Sequence, residues 1–250
     1  MKRIFTFLIL CTCVSIGGFG QITWAKKTGP YGGAVKDVAV NPITSVAFAL
    51  SGDNNRGVIY KSVDNGVSWT EVTPNIFGSD MGRINDFQMS SNGTLLAISN
   101  NNLYKTIDDG ANWTKVNTGT SSSTNGFDQG LEVAVNPVNG TIYVSGYDYS
   151  QSKRVLFRST NGGSTFAKGA ADTNNQFYKI SVANNSTANG IVFCTLAGQL
   201  YQSTNDGVNF SIVSSVGDFS SVQSIASKSN NSQLTVVTNN STIYTLSTPF

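Results

Sequence analysis

The chain has 250 residues and no histidine, with 12% charged residues, 39% hydrophobic residues and 25 glycines, and Ser, Thr and Asn together supply 83 positions. The absence of histidine excludes Ser-His-Asp catalysis and His-ligated zinc. The charged fraction is about half of the usual quarter, which argues against long charged helices and coiled coils, so the composition favours a turn-rich β protein.

Residues 1–20 have the pattern of a secretory signal peptide. Lys2 and Arg3 form a short positive region, residues 4–16 are almost entirely apolar or small, and small residues recur at positions 18–20. The apolar stretch is about 13 residues long, shorter than the roughly 18 to 20 that a spanning helix needs. We therefore expect a protein that is secreted or held at the cell surface, with no segment inserted in a membrane.

The mature domain, residues 21–250, is expected to be neutral. Export removes Lys2 and Arg3 from the 16 basic residues, and the remaining 14 balance 14 acidic residues. Without a basic excess, there is no electrostatic reason to expect nucleic acid or an anionic membrane as partner. Cys194 is the only cysteine after residue 20 and lies in an apolar run, so we expect a buried, inert thiol.

A segment of similar sequence recurs along the chain. The copies span residues 59–69, 103–113, 156–166 and 200–210, and Ile243-Tyr244 begins a fifth. Their hydroxyl positions are spaced by 44, 53 and 44 residues. A period of about 44 residues suits the four-stranded blade of a β-propeller.

Each unit also contains two earlier β-rich runs before the recurring segment. The expected first strands are residues 35–40, 84–89, 131–135, 177–182 and 222–226. Residues 46–50 and 141–145 are expected second strands, and both follow an Asn-Pro bend in which proline's missing N–H does no harm. The sequence therefore predicts an all-β propeller of four-stranded blades, with about five blades present.

The recurring segment contains a glycine turn followed three residues later by an aromatic residue. It resembles the bacterial neuraminidase repeat, or Asp-box, of the form Ser/Thr-x-Asp-x-Gly-x-Ser/Thr-Trp/Phe. The matching residues are Ser62, Asp64, Gly66 and Trp69; Thr106, Asp108, Gly110 and Trp113; Ser159, Asn161, Gly163 and Phe166; and Ser203, Asn205, Gly207 and Phe210. With the opening Gly29-Pro-Tyr-Gly-Gly33, the chain is similar to sialidase-like, sortilin-like and secreted glycosyl-hydrolase-like propellers, and this resemblance implies the propeller fold.

The chemistry of the box indicates a structural role. An oxygen of Asp64 or Asn161 can accept backbone N–H groups within its own turn, the glycine can take a left-handed conformation, and the aromatic ring can pack on the sheet. Because asparagine keeps an acceptor, the two Asn copies should form the same turn. One carboxylate per copy is far from the six to eight oxygens of a calcium site, so we expect no metal and no cofactor.

Three long connections on one face of the predicted propeller indicate a binding rim. They are residues 74–83, 119–130 and 145–154. Their mixture of acidic, basic and aromatic residues is typical of a carbohydrate- or peptide-binding surface, and the alternative is that they are merely solvated. The candidate rim residues are Asp80, Arg83, Phe127, Tyr147, Tyr149 and Arg154, and Asp128 and Asp148 are weak candidates for acid-base catalysis.

Three functions are consistent with the sequence. We favour a non-catalytic, monomeric module that binds a glycan or an extracellular protein. The second function, a glycoside hydrolase of sialidase or xyloglucanase type, needs suitably placed carboxylates or an arginine cluster with a tyrosine nucleophile. The mature chain has two glutamates and four arginines and lacks the Phe-Arg-Ile-Pro motif expected in sialidases. The third is a protein-interaction propeller similar to photosystem assembly factors.

The fifth unit lacks its own box and fourth strand. The run Ile22-Thr-Trp-Ala-Lys-Lys27 resembles the residues that follow Trp69 and Trp113, so it is a candidate for the missing strand of a closed five-blade ring. The alternative, which we prefer, is that the chain is part of a larger propeller, with a C-terminal sorting domain as a further possibility.

Overall fold

The computed structural model describes residues 29–30, 34–52, 57–73, 84–99, 102–116, 127–150, 152–168, 177–183, 191–196, 198–219, 222–227 and 233–247. This part of the chain is all β and forms five antiparallel sheets, here called blades 1 to 5. Blade 1 contains β1 (Ala34–Val40), β2 (Ala47–Gly52), β3 (Gly57–Ser62) and β4 (Thr70–Glu71). Blade 2 contains β5 (Asp86–Met89), β6 (Leu95–Ile98), β7 (Leu103–Thr106) and β8 (Thr114–Lys115).

The remaining blades repeat this arrangement. Blade 3 contains β9 (Gln129–Val135), β10 (Ile142–Asp148), β11 (Lys153–Ser159) and β12 (Ala167–Lys168). Blade 4 contains β13 (Phe177–Ala183), β14 (Ile191–Leu196), β15 (Gly198–Ser203) and β16 (Ser211–Phe219). Blade 5 contains β17 (Val222–Ser227), β18 (Leu234–Thr238) and β19 (Ile243–Leu246). In every blade neighbouring strands are consecutive in sequence, which confirms the predicted meander.

The blades form a five-bladed β-propeller. The first strands of consecutive blades contact one another, from β1 to β5, β9, β13 and β17. A cavity of about 360 Å³ lies among them, lined by residues from the first strands of all five blades. The first strands therefore surround a common axis, and the later strands of each blade lie progressively farther from it.

The hydrophobic core lies between consecutive blades. One apolar cluster joins Phe48 and Ile59 of blade 1 to Phe87 and Tyr104 of blade 2. Corresponding clusters join blades 2 and 3, 3 and 4, and 4 and 5. Cys194 is buried in the cluster between blades 3 and 4, as the sequence predicted, and burial raises its pKa far above the ordinary value.

The chain crosses each blade between two faces of the propeller. The turns between first and second strands and the glycine turns between third and fourth strands share one face, here called the turn face. Connections between second and third strands and between blades lie on the opposite face, the loop face. Among the described residues, no helix is long and apolar enough to cross a membrane.

One predicted connection is wrong. Residues 145–154 were expected to form a long loop, but β10 continues to Asp148 and β11 begins at Lys153. Cross-strand pairing extends through Tyr147 and Arg154, so the hairpin ends in a tight turn. The predicted signal peptide and the strand proposed for residues 22–27 lie outside the described residues.

Candidate functional site

The four glycine turns share one geometry. Ser62 Oγ donates to Asp64 Oδ1 at 2.7 Å, and Gly66 N donates to Ser62 Oγ at 2.8 Å. The corresponding two bonds are 2.7 and 2.9 Å in the second copy and 2.9 and 2.9 Å in each of the last two copies. The glycines have φ between 78° and 89°. Asparagine therefore supports the same turn as aspartate.

Hydrogen bonding within these turns stabilises the ionised carboxylates. The hydroxyl of Ser68, its backbone N–H and the hydroxyl of Ser62 lower the pKa of Asp64 to about 2. The backbone N–H and side-chain amide of Asn112, with the hydroxyl of Thr106, lower the pKa of Asp108 to about 2. Both carboxylates are occupied by their own turns, which suits the predicted structural role.

A second element of the glycine turns links consecutive blades on the turn face. We call each such contact a seam and number it by the blades it joins. At seam 1–2, the residue before the box glycine is Asp109, whose Oδ1 accepts from Asn41 Nδ2 at 2.7 Å and Thr44 Oγ1 at 3.1 Å. Lys61 Nζ donates to the Asp109 carbonyl at 3.1 Å. The Asn-Pro bend of blade 1 is thus attached to the glycine turn of blade 2.

Seam 3–4 has a more extensive version of this contact, centred on Asp206. Its carboxylate accepts from Asn136 Nδ2 and Thr141 Oγ1 at 2.8 Å each and from the Tyr143 hydroxyl. Arg158 donates to both the carboxylate and the carbonyl of Asp206 at 2.6 Å. Burial alone would raise the pKa of Asp206, but these hydrogen bonds together lower it, so the carboxylate is ionised in its buried position.

Seam 2–3 lacks this carboxylate. The residue before the box glycine is Gly162. Ser90 stands at the position of Asn41 at seam 1–2 and of Asn136 at seam 3–4. A cavity of about 190 Å³ is present here, lined by Ser90, Thr94, Lys105 and Gly162 among others. The turns of blades 2 and 3 still meet, since Ser91 Oγ donates to the Pro137 carbonyl at 2.9 Å.

Sequence reasoning missed these seams, although a signal was available. Asn-Pro follows the first strand only in units 1 and 3, and Asp precedes the box glycine only in units 2 and 4. Alignment of the units one by one treats these residues as variable positions. Their meaning becomes visible only when each unit is compared with the one that follows it in the ring.

The axial cavity contains ionisable residues that the sequence analysis did not single out. The same position in the first strands of blades 1, 2 and 3 carries an acid: Asp37, Asp86 and Glu132. In each blade this residue lies three residues before the last residue of the first strand that pairs with the second strand. Asp86 Oδ2 accepts from Val133 N of the next blade at 2.9 Å. Glu132 accepts from Ile180 N at 2.7 Å and Lys179 Nζ at 3.0 Å. Carboxylates therefore connect blade 2 to blade 3 and blade 3 to blade 4 at the axis.

These axial carboxylates are in a different electrostatic state from those of the glycine turns. Burial, and then the neighbouring Glu132 carboxylate, raise the pKa of Asp86 to about 7. Burial also raises the pKa of Glu132 and of Asp37, although the charge of Lys179 opposes both increases. Three acids lie close together at the axis, and Lys179 compensates only part of their charge. Among the described residues, carboxylate pKa values are therefore raised most strongly at the axis.

The loop face carries two of the predicted rim residues as an aromatic pair. Tyr147 lies near the end of β10 and Tyr149 in the following turn, with ring centroids 5.0 Å apart in an edge-on arrangement. Tyr149 is 64% exposed, and Tyr147 is half-buried. Arg154 is half-buried and pairs across the hairpin with Tyr147. The structure therefore brings these three predicted residues together.

Asp128 and Asp148, the weak catalytic candidates, are buried beside this pair. Asp128 Oδ2 accepts from Tyr149 N at 2.7 Å. Asp148 Oδ1 accepts from Ser150 N at 3.0 Å and Ser150 Oγ at 2.5 Å, and its Oδ2 forms an ion pair with Lys168 at 2.5 Å. Both carboxylates fix the turn that presents Tyr149.

The structure places Phe127 away from the rim. Its side chain is fully buried and packs against Phe157 and Phe166, with ring centroids 5.9 and 5.6 Å away. The ring joins the core between blades 2 and 3 because an apolar group of this size gains more from burial than from exposure in a loop. Asp80 and Arg83, the other candidate rim residues, lie outside the described residues.

Comparison with known proteins supports the fold. No protein-family model matches the chain, and no curated protein matches it. Among solved structures, an ancestral GH74 enzyme has a TM-score of 0.62 and 20% identity, covering 87% of this chain and 30% of that one. YCF48 bound to D1 peptide has a TM-score of 0.61 and 14% identity, covering 86% and 65% respectively.

A third similar structure is that of a nidogen/laminin complex, with a TM-score of 0.56 and 11% identity, covering 85% of this chain and 75% of that one. The chain thus spans 30% of the GH74 structure's length and 65% of the YCF48 structure's length. The likeness is one of fold. At these identities it assigns neither the GH74 activity nor a partner to this chain.

Proposed function

We propose that this protein is a secreted or cell-surface, non-catalytic binding module whose loop face takes a glycan or an extracellular protein. The observation that supports this most directly is the aromatic pair of Tyr147 and Tyr149. Tyrosine combines a large apolar surface with a hydroxyl and has few rotatable bonds, so it contributes much binding energy at a low entropic cost. Such residues are common at the centres of binding sites.

The surroundings of the pair support recognition by a pre-formed surface. Asp128 and Asp148 hold the backbone at Tyr149 and Ser150 from below, and Lys168 neutralises Asp148. A turn fixed in this way loses little further entropy on binding. The two carboxylates that were candidates for hydrolysis therefore have a structural use beneath a binding surface.

The test is a binding screen of the purified protein on a glycan array and in pull-downs of extracellular proteins. We expect Tyr149→Ala with Tyr147→Ala to weaken whichever binding is found by about tenfold or more, since two aromatic contacts are lost. Val208→Ala is the matched control, because Val208 is exposed on the turn face. Binding that the tyrosine variants leave unchanged would remove the loop face from the proposal.

A second candidate function, glycoside hydrolysis, is favoured by one observation. The axial cavity holds Asp86, whose pKa is raised to about 7, together with Asp37 and Glu132. A protonated acid near an ionised one is the pair that glycosidases use. Hydrolysis of aryl glycosides or polysaccharides that is lost in Asp86→Asn would establish this function and contradict the non-catalytic proposal. Asp128→Asn and Asp148→Asn are the comparison variants.

A further inference from the structure

The cavity at seam 2–3 corresponds, residue by residue, to the carboxylate contact at seam 3–4. Strand pairing gives the correspondence: Arg158 pairs with Tyr143 in blade 3, and Lys105 pairs with Leu96 in blade 2. Thr94 occupies the position of Thr141, because the Thr94 carbonyl accepts from Ser90 N as the Thr141 carbonyl accepts from Asn136 N. Gly162 takes the place of Asp206.

The cavity arises because the groups that fill seam 3–4 are smaller or absent here. Glycine replaces the aspartate, serine replaces the asparagine, and Leu96 replaces the hydroxyl-bearing Tyr143. The cavity volume of about 190 Å³ is several times the roughly 30 Å³ that one water molecule occupies in the liquid. It is therefore large enough for a carboxylate together with the chain that carries it.

At seam 2–3 the counterparts of two seam 3–4 donors have no carboxylate acceptor within the described part of the chain. Lys105 is half-buried in the cavity wall, and the described residues offer its Nζ no hydrogen bond or ion pair. Its counterparts Lys61 and Arg158 both donate to the aspartate of the next blade. Thr141 Oγ1 donates to Asp206, whereas its counterpart Thr94 Oγ1 has no such acceptor among the described residues. No acidic side chain lines the cavity.

We propose that this cavity binds a carboxylate presented by an acidic side chain of a protein partner. The ligand group would supply at seam 2–3 what Asp109 and Asp206 supply at the neighbouring seams. The cavity opens on the turn face, where its wall residue Ile107 is 78% exposed. The aliphatic wall residues Ile107, Val135 and Ile142 suit a peptide chain better than a sugar, whose hydroxyls they cannot hydrogen-bond.

A direct test uses NMR titration of the isotope-labelled protein with two blocked peptides, Gly-Gly-Asp-Gly-Gly and Gly-Gly-Asn-Gly-Gly. The Asp peptide is expected to shift the Gly162 amide saturably, and the Asn peptide is not. Lys105→Met should weaken binding of the Asp peptide by about tenfold or more, because a charge-assisted contact is lost. Identical responses to the two peptides, or no effect of Lys105→Met, would overturn the proposal.

Filling the cavity from within gives a second, independent test. The added Cβ at Gly162 meets no atom within 4 Å, and its φ of 69° lies close to the 54° and 59° of Asp109 and Asp206. Gly162→Asp should therefore raise Tm by about 2–4 °C and abolish binding of the Asp peptide. Gly162→Asn, the neutral control, should raise Tm less. A Tm for Gly162→Asp at or below that of Gly162→Asn would contradict the proposal.

Sodium acetate and glucuronate distinguish the source of the carboxylate. Acetate should bind more weakly than the Asp peptide, because it lacks the chain that contacts the aliphatic wall, and Lys105→Met should weaken both. Glucuronate that binds more tightly than the Asp peptide would show that the site takes an acidic sugar, and the assignment to a protein partner would then be wrong.

Discussion

Seams 3–4 and 2–3 show what the carboxylate before the box glycine does for the propeller. At seam 3–4, Asp206 gathers donors from four side chains of the preceding blade, whereas at seam 2–3 Gly162 leaves a cavity with Lys105 in its wall. Both seams nevertheless lie above a continuous apolar cluster. Blades 2 and 3 are therefore held together by apolar packing and by the Ser91 and Asp86 hydrogen bonds, without the carboxylate that seam 3–4 has before its glycine.

The largest expected effect comes from removing the charge at seam 3–4. Asp206→Asn keeps a residue that tolerates positive φ but loses the ion pair with Arg158, whose side chain is 22% exposed against 10% for Asp206. We expect unfolding free energy to fall by about 3 kcal/mol, because an uncompensated cation and buried donors remain. Urea denaturation measures this. Asp109→Asn at seam 1–2 is the matched variant, with an expected loss of about 1 kcal/mol; equal losses would contradict the ranking.

At the propeller axis, the raised pKa of Asp86 should make the free energy of unfolding depend on pH. The pKa of Asp86 is raised to about 7 from an unfolded value of about 3.9, so the folded state binds the extra proton between these values. Its contribution to stability is full below pH 4 and is lost as pH rises through 7. Asp86→Asn should remove this slope and be more stable than the parent at pH 8 by about 2 kcal/mol. Urea unfolding from pH 4 to pH 8 tests this, and an unchanged slope would contradict it.

The sequence predicts the hairpins of the propeller, but it does not predict the contacts between them. The meander and its glycine turns were predictable because Ser62, Asp64, Gly66 and Trp69 act within one turn and recur in each unit. Contacts between units were not predictable from single units. Asn41 and Asp109 lie 68 residues apart, and the aligned units carry different residues at each of these two positions. Burial of Phe127 was missed because its partner rings, although in the same blade, lie far along the chain on β11 and just before β12.

The two tryptophans of the glycine turns provide a smaller, matched effect. Trp113 Nε1 donates to the carbonyl of Val72 in the preceding blade at 2.9 Å, whereas the buried Trp69 Nε1 has no partner within the described part of the chain. Trp113→Phe should therefore lower the unfolding free energy by about 1 kcal/mol more than Trp69→Phe. Thermal and urea unfolding of both variants give the difference. Equal losses would show that this hydrogen bond adds nothing to ring packing.

The smallest expected effect concerns the exposed box carboxylates at acid pH. The pKa of Asp64 and of Asp108 is lowered to about 2, so their contribution is present above pH 4 and is lost as pH falls towards 2. The double variant Asp64→Asn with Asp108→Asn should have a flatter acid limb, since Asn161 and Asn205 form the same turn without a titrating group. Fluorescence-monitored unfolding between pH 2 and pH 4 compares it with the parent, and superimposable acid limbs would refute this assignment.

Seam 2–3 has the counterparts of the seam 3–4 donors without the carboxylate, and a crystal structure of the Gly162→Asp variant tests this claim most directly. We predict that the introduced carboxylate lies within hydrogen-bond distance of Lys105 Nζ and Thr94 Oγ1, as Asp206 does with Arg158 and Thr141. A carboxylate directed into solvent, with Lys105 unmoved, would contradict the claim.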